Sequence, residues 1–359
     1  MSFFSSEEKP FLIAGPCSAE TREQVLATAA GLQDLPVRLF RAGVWKPRTR
    51  PGSFEGKGRE ALTWLSEVKS SFGFKVVIEV AEPEHVELAL QHGIDALWIG
   101  ARTVVNPFQV QHIADVLKGV SIPVLVKNPV NPDVDLWQGG IERIMGAGIT
   151  DIAAIHRGFS TYKTSLGYRN QPNWIIPVEL KRRMPSLPVI CDPSHISGQA
   201  ARVAQVAQKA MNIGFDGLMI EAHINPAAAW SDAAQQLTPD QLRELIGNLV
   251  IRNAHTGSGY SMLELEYLRQ TADNIDTEII ELLARRMEIS ARMGDIKHKN
   301  NITAYQPERW REILETRCEQ GRKLALPESY IAALYRIIHD ESIRKQLEIS
   351  TVAINPAKD

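Results

Sequence analysis

The chain has 359 residues, more than one typical domain, with 44% apolar and 23% charged residues and a formal net charge of −2. That balance excludes whole-molecule steering towards nucleic acid or an anionic membrane, so neither is expected as a partner, and any anion site must come from local clusters of Arg and Lys. Three scattered cysteines (Cys17, Cys191, Cys318) exclude a disulfide framework; the start Met1–Pro10 lacks the apolar core of a signal peptide, and no run approaches the ~20 apolar residues of a membrane span, so a reduced cytoplasmic protein is expected.

From Phe11 to about Ile251, short β-branched runs alternate with helix-like stretches. The runs include Phe11–Gly15, Leu39–Gly43, Ala96–Gly100, Val124–Val126, Ile152–Ile155, Val189-Ile190 and Leu218–Ile220. The helical stretches include Arg22–Gln33, Gly58–Phe72, Pro83–His92, Asn106–Leu117, Trp137–Ala147 and Gly198–Ile213. About eight such units in roughly 240 residues predict an α/β fold, a (β/α)8 TIM barrel over residues 1–252. A doubly wound open sheet is the alternative, but it would gather its ligand groups at one switch point. Here chemically competent residues follow strand after strand.

Residues 253–261 have the composition of a linker. Beyond them the pattern is all-helical, over 262–350, with 351–359 as a flexible tail. Leu265, Leu268, Ala272, Ile275, Ile279, Leu282, Arg286, Ile289, Met293 and Ile296 step by three and four, a heptad-like seam. At 1.5 Å per residue the helix runs to about 50 Å, longer than a small domain covers alone, so a homodimer through this module is expected. A second helix runs from Pro307, suited to a first helical position, to about Arg322, and a third from Glu328 to roughly Glu348.

Cys17, His195, Glu221 and Asp232 all lie in segments that follow strands of the barrel pattern. One thiol, one imidazole and two carboxylates suit a divalent ion of the Mn, Fe, Co or Zn class. Each alone has a plainer reading: Cys17 as a small packed residue, His195 as a turn histidine held by Asp192, Glu221 as an ion-pair partner, Asp232 as a helix N-cap. Arg41, Lys46, Arg48, Arg102, Lys127 and Arg157 form a cationic set. At the ends of buried strands such residues need counter-charges, and phosphate or carboxylate ligands supply them, especially for Arg.

The motifs GPCS at 15–18, RAG-x-x-KPRT at 41–49, IGART at 99–103, the lysine of VLVKN, HRG at 156–158, DPSH at 192–195 and IEAH at 220–223 together resemble the 3-deoxy-D-arabino-heptulosonate 7-phosphate (DAHP) synthases, in the subfamily shared with 3-deoxy-octulosonate 8-phosphate synthases. KPRT separates the two, and Cys17 points to metal dependence, since metal-independent octulosonate enzymes carry Asn there. The resemblance implies that Arg41 and Lys127 hold the carboxylate of phosphoenolpyruvate, and Arg102, Lys127 and Arg157 its phosphate. It places Arg48 and Thr49 on the phosphate of erythrose 4-phosphate, and the metal on Cys17, His195, Glu221 and Asp232. Lys46 and Lys127 are the candidate catalytic lysines. His156 stands where an acidic residue is more usual.

Arg286 occupies an apolar seam position, either as a register-setting polar residue or for function. Lys297, eleven residues on, lies about 20° around the helix and shares its face. Ser342 and Gln346 likewise share a face. From Leu268 to Gln346 the module resembles the all-helical chorismate mutases. The resemblance implies that Arg286 and Arg309 bind substrate carboxylates, that Arg269 reaches in from the partner subunit, that Ser342 lies at the site, and that Lys297 and Gln346 hydrogen-bond the ether oxygen of chorismate. Trp310 and Gln306 depart from the family pattern, which has Glu and commonly Asp there. The expected function is therefore bifunctional, with synthase and mutase activities and inhibition of the synthase by a mutase ligand such as prephenate. The alternative makes the helical module a dimerisation domain and chorismate/prephenate sensor.

Overall fold

The computed structural model describes residues 3–4, 10–47, 52, 54–161, 167–252 and 260–352. Eight strands pair in sequence order, all parallel: β1 (Phe11–Gly15), β2 (Val37–Arg41), β3 (Val76–Val80), β4 (Ala96–Ile99), β5 (Val124–Lys127), β6 (Ile152–His156), β7 (Val189–Cys191) and β8 (Gly217–Glu221). β8 closes on β1 from Phe11↔Gly217 to Gly15↔Glu221, completing the barrel. Nearly continuous Val, Ile, Leu and Ala runs suit strands covered on both faces. The connections carry α1 (Arg22–Leu32), α2 (Arg59–Phe72), α3 (Pro83–Gln91), α4 (Ala101–Val104), α5 (Pro107–Leu117), α6 (Val134–Gly146), α7 (Ile175–Arg183), α8 (Pro193–Ser197), α9 (Ala200–Ile213) and α10 (Pro239–Asn248).

One apolar layer lies between sheet and helices; a second fills the lumen with Phe11, Ile13, Leu39, Val77, Trp98, Leu125, Ile155, Ile190 and Met219. Side chains alternate along a strand. The residues two beyond Leu39, Val77, Leu125, Ile155, Ile190 and Met219 therefore continue the inward face, and they are Arg41, Glu79, Lys127, Arg157, Asp192 and Glu221. The apolar plug ends where the charges begin, at the C-terminal ends of the strands.

Caps set the helix boundaries that hydrophobic period alone misjudged. α6 begins at Val134, ahead of the predicted Trp137, because the Asp133 carboxylate accepts from Leu136 N at 2.8 Å. Gly198 does not open α9; it ends the short α8 in a left-handed conformation, φ 69°. α4 and α8 are each too short to leave a periodic signal.

Contacts divide the chain into two units, Met1–Ala254 and His255–Asp359. In the second, α11 (Tyr260–Lys299), α12 (Pro307–Lys323) and α13 (Glu328–Val352) are the described helices. α11 starts inside the stretch expected to be linker, and α13 continues a turn past the predicted end. α13 packs along α11, closely enough that a Cβ on Gly294 would sit 2.8 Å from Gln346 Cα. The α11 seam is largely exposed within one chain: Leu268 at 56%, Ile275 at 51% and Leu282 at 58%. No described helix is long and apolar enough to cross a membrane.

Candidate active sites

At the barrel rim, the loops after β1, β7 and β8 bring Cys17, His195, Glu221 and Asp232 together. One donor atom each of Cys17, Glu221 and Asp232 lies within 4.8 Å of the others. Cys17 Sγ is 3.3 Å from Asp232 Oδ2, and His195 Nε2 stands 3.7 Å from Glu221 Oε1 and 3.9 Å from Asp232 Oδ2. Asp232 caps nothing with its side chain. It has a left-handed backbone, φ 50° and ψ 34°, sparsely populated for a non-glycine residue, and it aims its carboxylate at the thiol.

Electrostatics prepare the cluster for a cation. Burial and then the Glu221 carboxylate push the Cys17 thiol up to about 12. Burial lowers His195, keeping it neutral and able to offer a lone pair. Burial alone would raise Glu221, but attraction to the His195 ring whenever that is protonated, and to the permanent Arg41 charge, outweighs it and lowers the carboxyl. A neutral imidazole, two carboxylates and a thiol that a bound cation would deprotonate form a donor set fitting a borderline divalent ion.

The cations interlock with this set. Lys46 Nζ donates to Cys17 O at 2.7 Å and to its sulfur at 2.9 Å. Burial pulls Lys46 down, but Cys17 and Glu221 outweigh it and leave the ammonium raised. Arg41, 1% exposed, pairs with Glu221 Oε1 at 3.1 Å, while its Nε and Nη1 find no partner among the described residues. Lys127 pairs with Asp192 at 2.9 Å. Trp98 floors the site, its ring 5.0 Å from Arg41 Cζ and 5.7 Å from Lys127 Nζ. Arg157 is buried, and burial with the like charges of Arg169 and Arg102 lowers it to about 10 against the pull of Asp192.

Two expectations need correction and two residues lie out of reach. Arg102 is not buried at a strand end: it sits on α4, exposed, close enough to repel Arg157. The N-cap reading of Asp232 fails, as above. Arg48 and Thr49 fall outside the described residues. Asp192 was read only as a brace for His195; it also carries the Lys127 pair, and its carboxyl is held well below the usual range, where His195, Lys127 and Arg41 outweigh burial. Arg169, Asn170 and Gln235 carry no sequence signal: the first two stand on an irregular connection and Gln235 on a single 3-10 turn (Ala233–Gln235), too short to show a period.

In the helical unit, α11 and α13 bring Arg286, Lys297, Ser342 and Gln346 to one seam. Arg286 Nη1 lies 3.5 Å from Ile338 O, Ser290 Oγ meets Ser342 Oγ at 2.7 Å, and Lys297 Nζ donates to Ala304 O at 2.7 Å. A cavity of about 150 Å³ is lined by Lys297, His298, Asn301 and Gln346 among others. Arg309 does not join them: it is exposed on the first turn of α12 and pairs with Glu312 at 2.6 Å. Arg269 lies on α11, seventeen residues before Arg286 and so about 25 Å away along the axis. The two therefore cannot meet across one site within one chain. Trp310 stacks on His339, ring centroids 4.2 Å apart.

The fold and rim define a (β/α)8 barrel enzyme that sets buried cations around a donor cluster able to hold a metal ion. The chain belongs to the DAHP synthetase I family, whose model matches residues 4–250, and the type II chorismate mutase model matches residues 268–347. Phospho-2-dehydro-3-deoxyheptonate aldolase of Thermotoga maritima is 33% identical over 235 residues, 66% of this chain and 67% of that protein. A 2-dehydro-3-deoxyphosphooctonate aldolase of Wolinella succinogenes is 29% identical, covering 67% of this chain and 97% of its own length. The crystal structure of the Thermotoga DAHP synthase aligns with TM-score 0.59 and 30% identity over 66% of this chain and 67% of that one. The chain thus carries a DAHP synthase (transferase) domain and a chorismate mutase (isomerase) domain of the shikimate pathway.

Proposed function

We propose that the barrel condenses phosphoenolpyruvate with erythrose 4-phosphate to DAHP, and that the helical unit converts chorismate to prephenate. The observation that carries the first reading is the convergence of Cys17, His195, Glu221 and Asp232 beside Arg41, Lys46, Lys127 and Arg157. Those four residues would hold a divalent ion of the Mn, Fe, Co or Zn class, which would supply Lewis-acid polarisation of the aldehyde carbonyl. Arg41, with two uncommitted guanidinium nitrogens, and Lys127 take the substrate carboxylate. Arg157, Arg102 and Lys127 take its phosphate, and Arg48 and Thr49 that of the aldose. This clamp sets C3 of phosphoenolpyruvate against the aldehyde carbon and makes the encounter effectively intramolecular. Lys46, protonated at the ligand cluster, supplies the proton to the aldehyde oxygen as the C–C bond forms. Water adds at C2, and inorganic phosphate leaves.

In the mutase, Arg286 holds one carboxylate and Arg309, once released from its exposed pair with Glu312, the other; Lys297 and Gln346 meet the ether oxygen, and Ser342 packs at the site. This favours the reactive chair and stabilises developing negative charge. Arg269 serves the partner's site, consistent with its distance from Arg286. A homodimer through the exposed α11 seam follows from the same reading, as do a cytoplasmic location and inhibition of the synthase by prephenate. A second reading, a sensor without turnover, draws on Trp310: its ring is engaged with His339 and offers a substrate hydroxyl no carboxylate.

The test follows phosphate release from EDTA-stripped and metal-reloaded protein, with erythrose 4-phosphate against a five-carbon aldose phosphate, and chorismate loss in the same samples. Metal-dependent turnover of the four-carbon aldose, with metal-independent loss of chorismate, supports both readings. Preference for the five-carbon aldose would make the barrel an octulosonate synthase, and binding of prephenate without chorismate turnover would establish the sensor.

A further inference from the structure

We propose that Arg169 and Asn170, neighbours on the connection from β6 to α7, are positioning residues that brace three metal ligands and the anion-binding Arg157 on one piece of backbone. The inference rests on the reading of Cys17, His195, Glu221 and Asp232 as the metal ligands.

The segment is bolted in place before its side chains act. Arg169 N and Asn170 N both donate to Ile196 O, at 3.0 and 3.2 Å, and Gln171 exchanges two 2.8 Å backbone hydrogen bonds with Phe159. Gly158 makes the approach feasible: at φ +76°, it has Asn170 so close that a Cβ would lie 2.9 Å from Asn170 Cβ and carbonyl oxygen. Asn170, 5% exposed, then reaches both ways. Its Oδ1 accepts from Arg157 Nη1 at 2.8 Å, and its Nδ2 donates to the carbonyl of His195 at 2.6 Å.

Arg169 controls the carboxylates. Its Nη1 donates to Asp232 Oδ1 at 2.9 Å and to Gln235 Oε1 at 2.6 Å. Gln235, 1% exposed, passes the hold on, its Nε2 donating to Glu221 Oε2 at 2.7 Å. One oxygen of each carboxylate is thereby occupied. The remaining ones, Asp232 Oδ2 and Glu221 Oε1, are those that face Cys17 Sγ and His195 Nε2, with Glu221 Oε1 also shared by Arg41 at 3.1 Å. The brace thus presents one oxygen per carboxylate to the ion, and it accounts for the left-handed backbone at Asp232, since the carboxylate must meet Cys17 and Arg169 at once. Partners of this kind orient metal ligands, and their loss typically lowers metal affinity about 10- to 100-fold.

The experiment titrates the EDTA-stripped full chain with cobalt(II), reading the dissociation constant by equilibrium dialysis and the thiolate-to-cobalt and d–d absorption bands. Wild type should bind one ion with a thiolate band that Cys17→Ser abolishes. Arg169→Ala should weaken cobalt about 10- to 100-fold and alter the d–d bands, with Arg169→Lys recovering part of the loss. Asn170→Ala should weaken both cobalt and inorganic phosphate, because it serves both sites. Gln235→Met, which removes the bonds of Gln235 to Arg169 and Glu221 but keeps the Arg169–Asp232 pair, tests the brace again should an Arg169 variant fold poorly. Wild-type cobalt affinity and bands in Arg169→Ala or Gln235→Met would overturn the brace. Absence of a Cys17-dependent band in wild type would overturn instead the ligand reading beneath it.

Discussion

His156 makes the barrel acid-sensitive, and the size of the effect follows from its surroundings. The ring lies at the end of β6, fully buried, with Trp174 at 5.3 Å, Phe159 at 5.7 Å and Phe215 at 6.2 Å between ring centroids. Burial first, and then the Arg157 charge, lower it from 6.5 to about 3. The unfolded chain takes up this proton below about pH 6.5 while the folded chain refuses it until about pH 3. Stability is therefore full above pH 6.5 and falls by about 1.4 kcal/mol per pH unit through that window. At pH 5 the cost is about 2 kcal/mol. His156→Phe removes the titrating group, and its larger ring adds an overpacking penalty of about 1–3 kcal/mol that does not depend on pH. The measurement is urea unfolding of both proteins at pH 7 and pH 5, followed by tryptophan fluorescence. Wild type should lose about 2 kcal/mol more than His156→Phe between the two. Equal losses would refute the reasoning, whatever the variant's absolute stability.

Three further outcomes are expected. Asp192→Asn leaves Lys127 buried without its counter-charge and should cost about 3–5 kcal/mol of barrel stability, measured by unfolding of the metal-free protein; a loss under about 1 kcal/mol would mean that Lys127 has another anion. Arg286→Ala should abolish chorismate turnover and leave DAHP formation within about twofold, since the change lies outside the unit that holds the barrel site; parallel loss of both activities would tie the sites together. Ending the chain after Gly257 should leave a synthase insensitive to prephenate, measured as inhibition of phosphate release, and a truncated barrel still inhibited would place the effector site in the first unit.

Much of the barrel site was legible because a strand's period is two and a plugged barrel ends in a charged layer. Arg41, Lys127 and Glu221 lie two residues past inward apolar positions, and the same count would have drawn notice to Glu79 and to the Lys127 pairing of Asp192. Arg102 followed a strand too. A four-residue helix, too short to leave a period, carries it and leaves it exposed near Arg157.

The local pattern of apolar residues was enough to mark most of the strands, the position of the charged rim and the three long helices, because these rest on short-range periodicity and on residue chemistry; the closed strand order and β3 (Val76–Val80) came from the structure. The direction in which a carboxylate points depends on contacts between distant segments. Asp232 meets Arg169 across 63 positions, and Glu221, the last residue of β8, is held by Gln235 from 14 positions further along the chain, and neither contact leaves a local trace. The same holds for the helical unit. Spacing placed Arg286 and Lys297 on one face, but only the packing of α13 against α11 brought Ser342 to them, and only the three-dimensional structure showed Arg309 turned outward to Glu312.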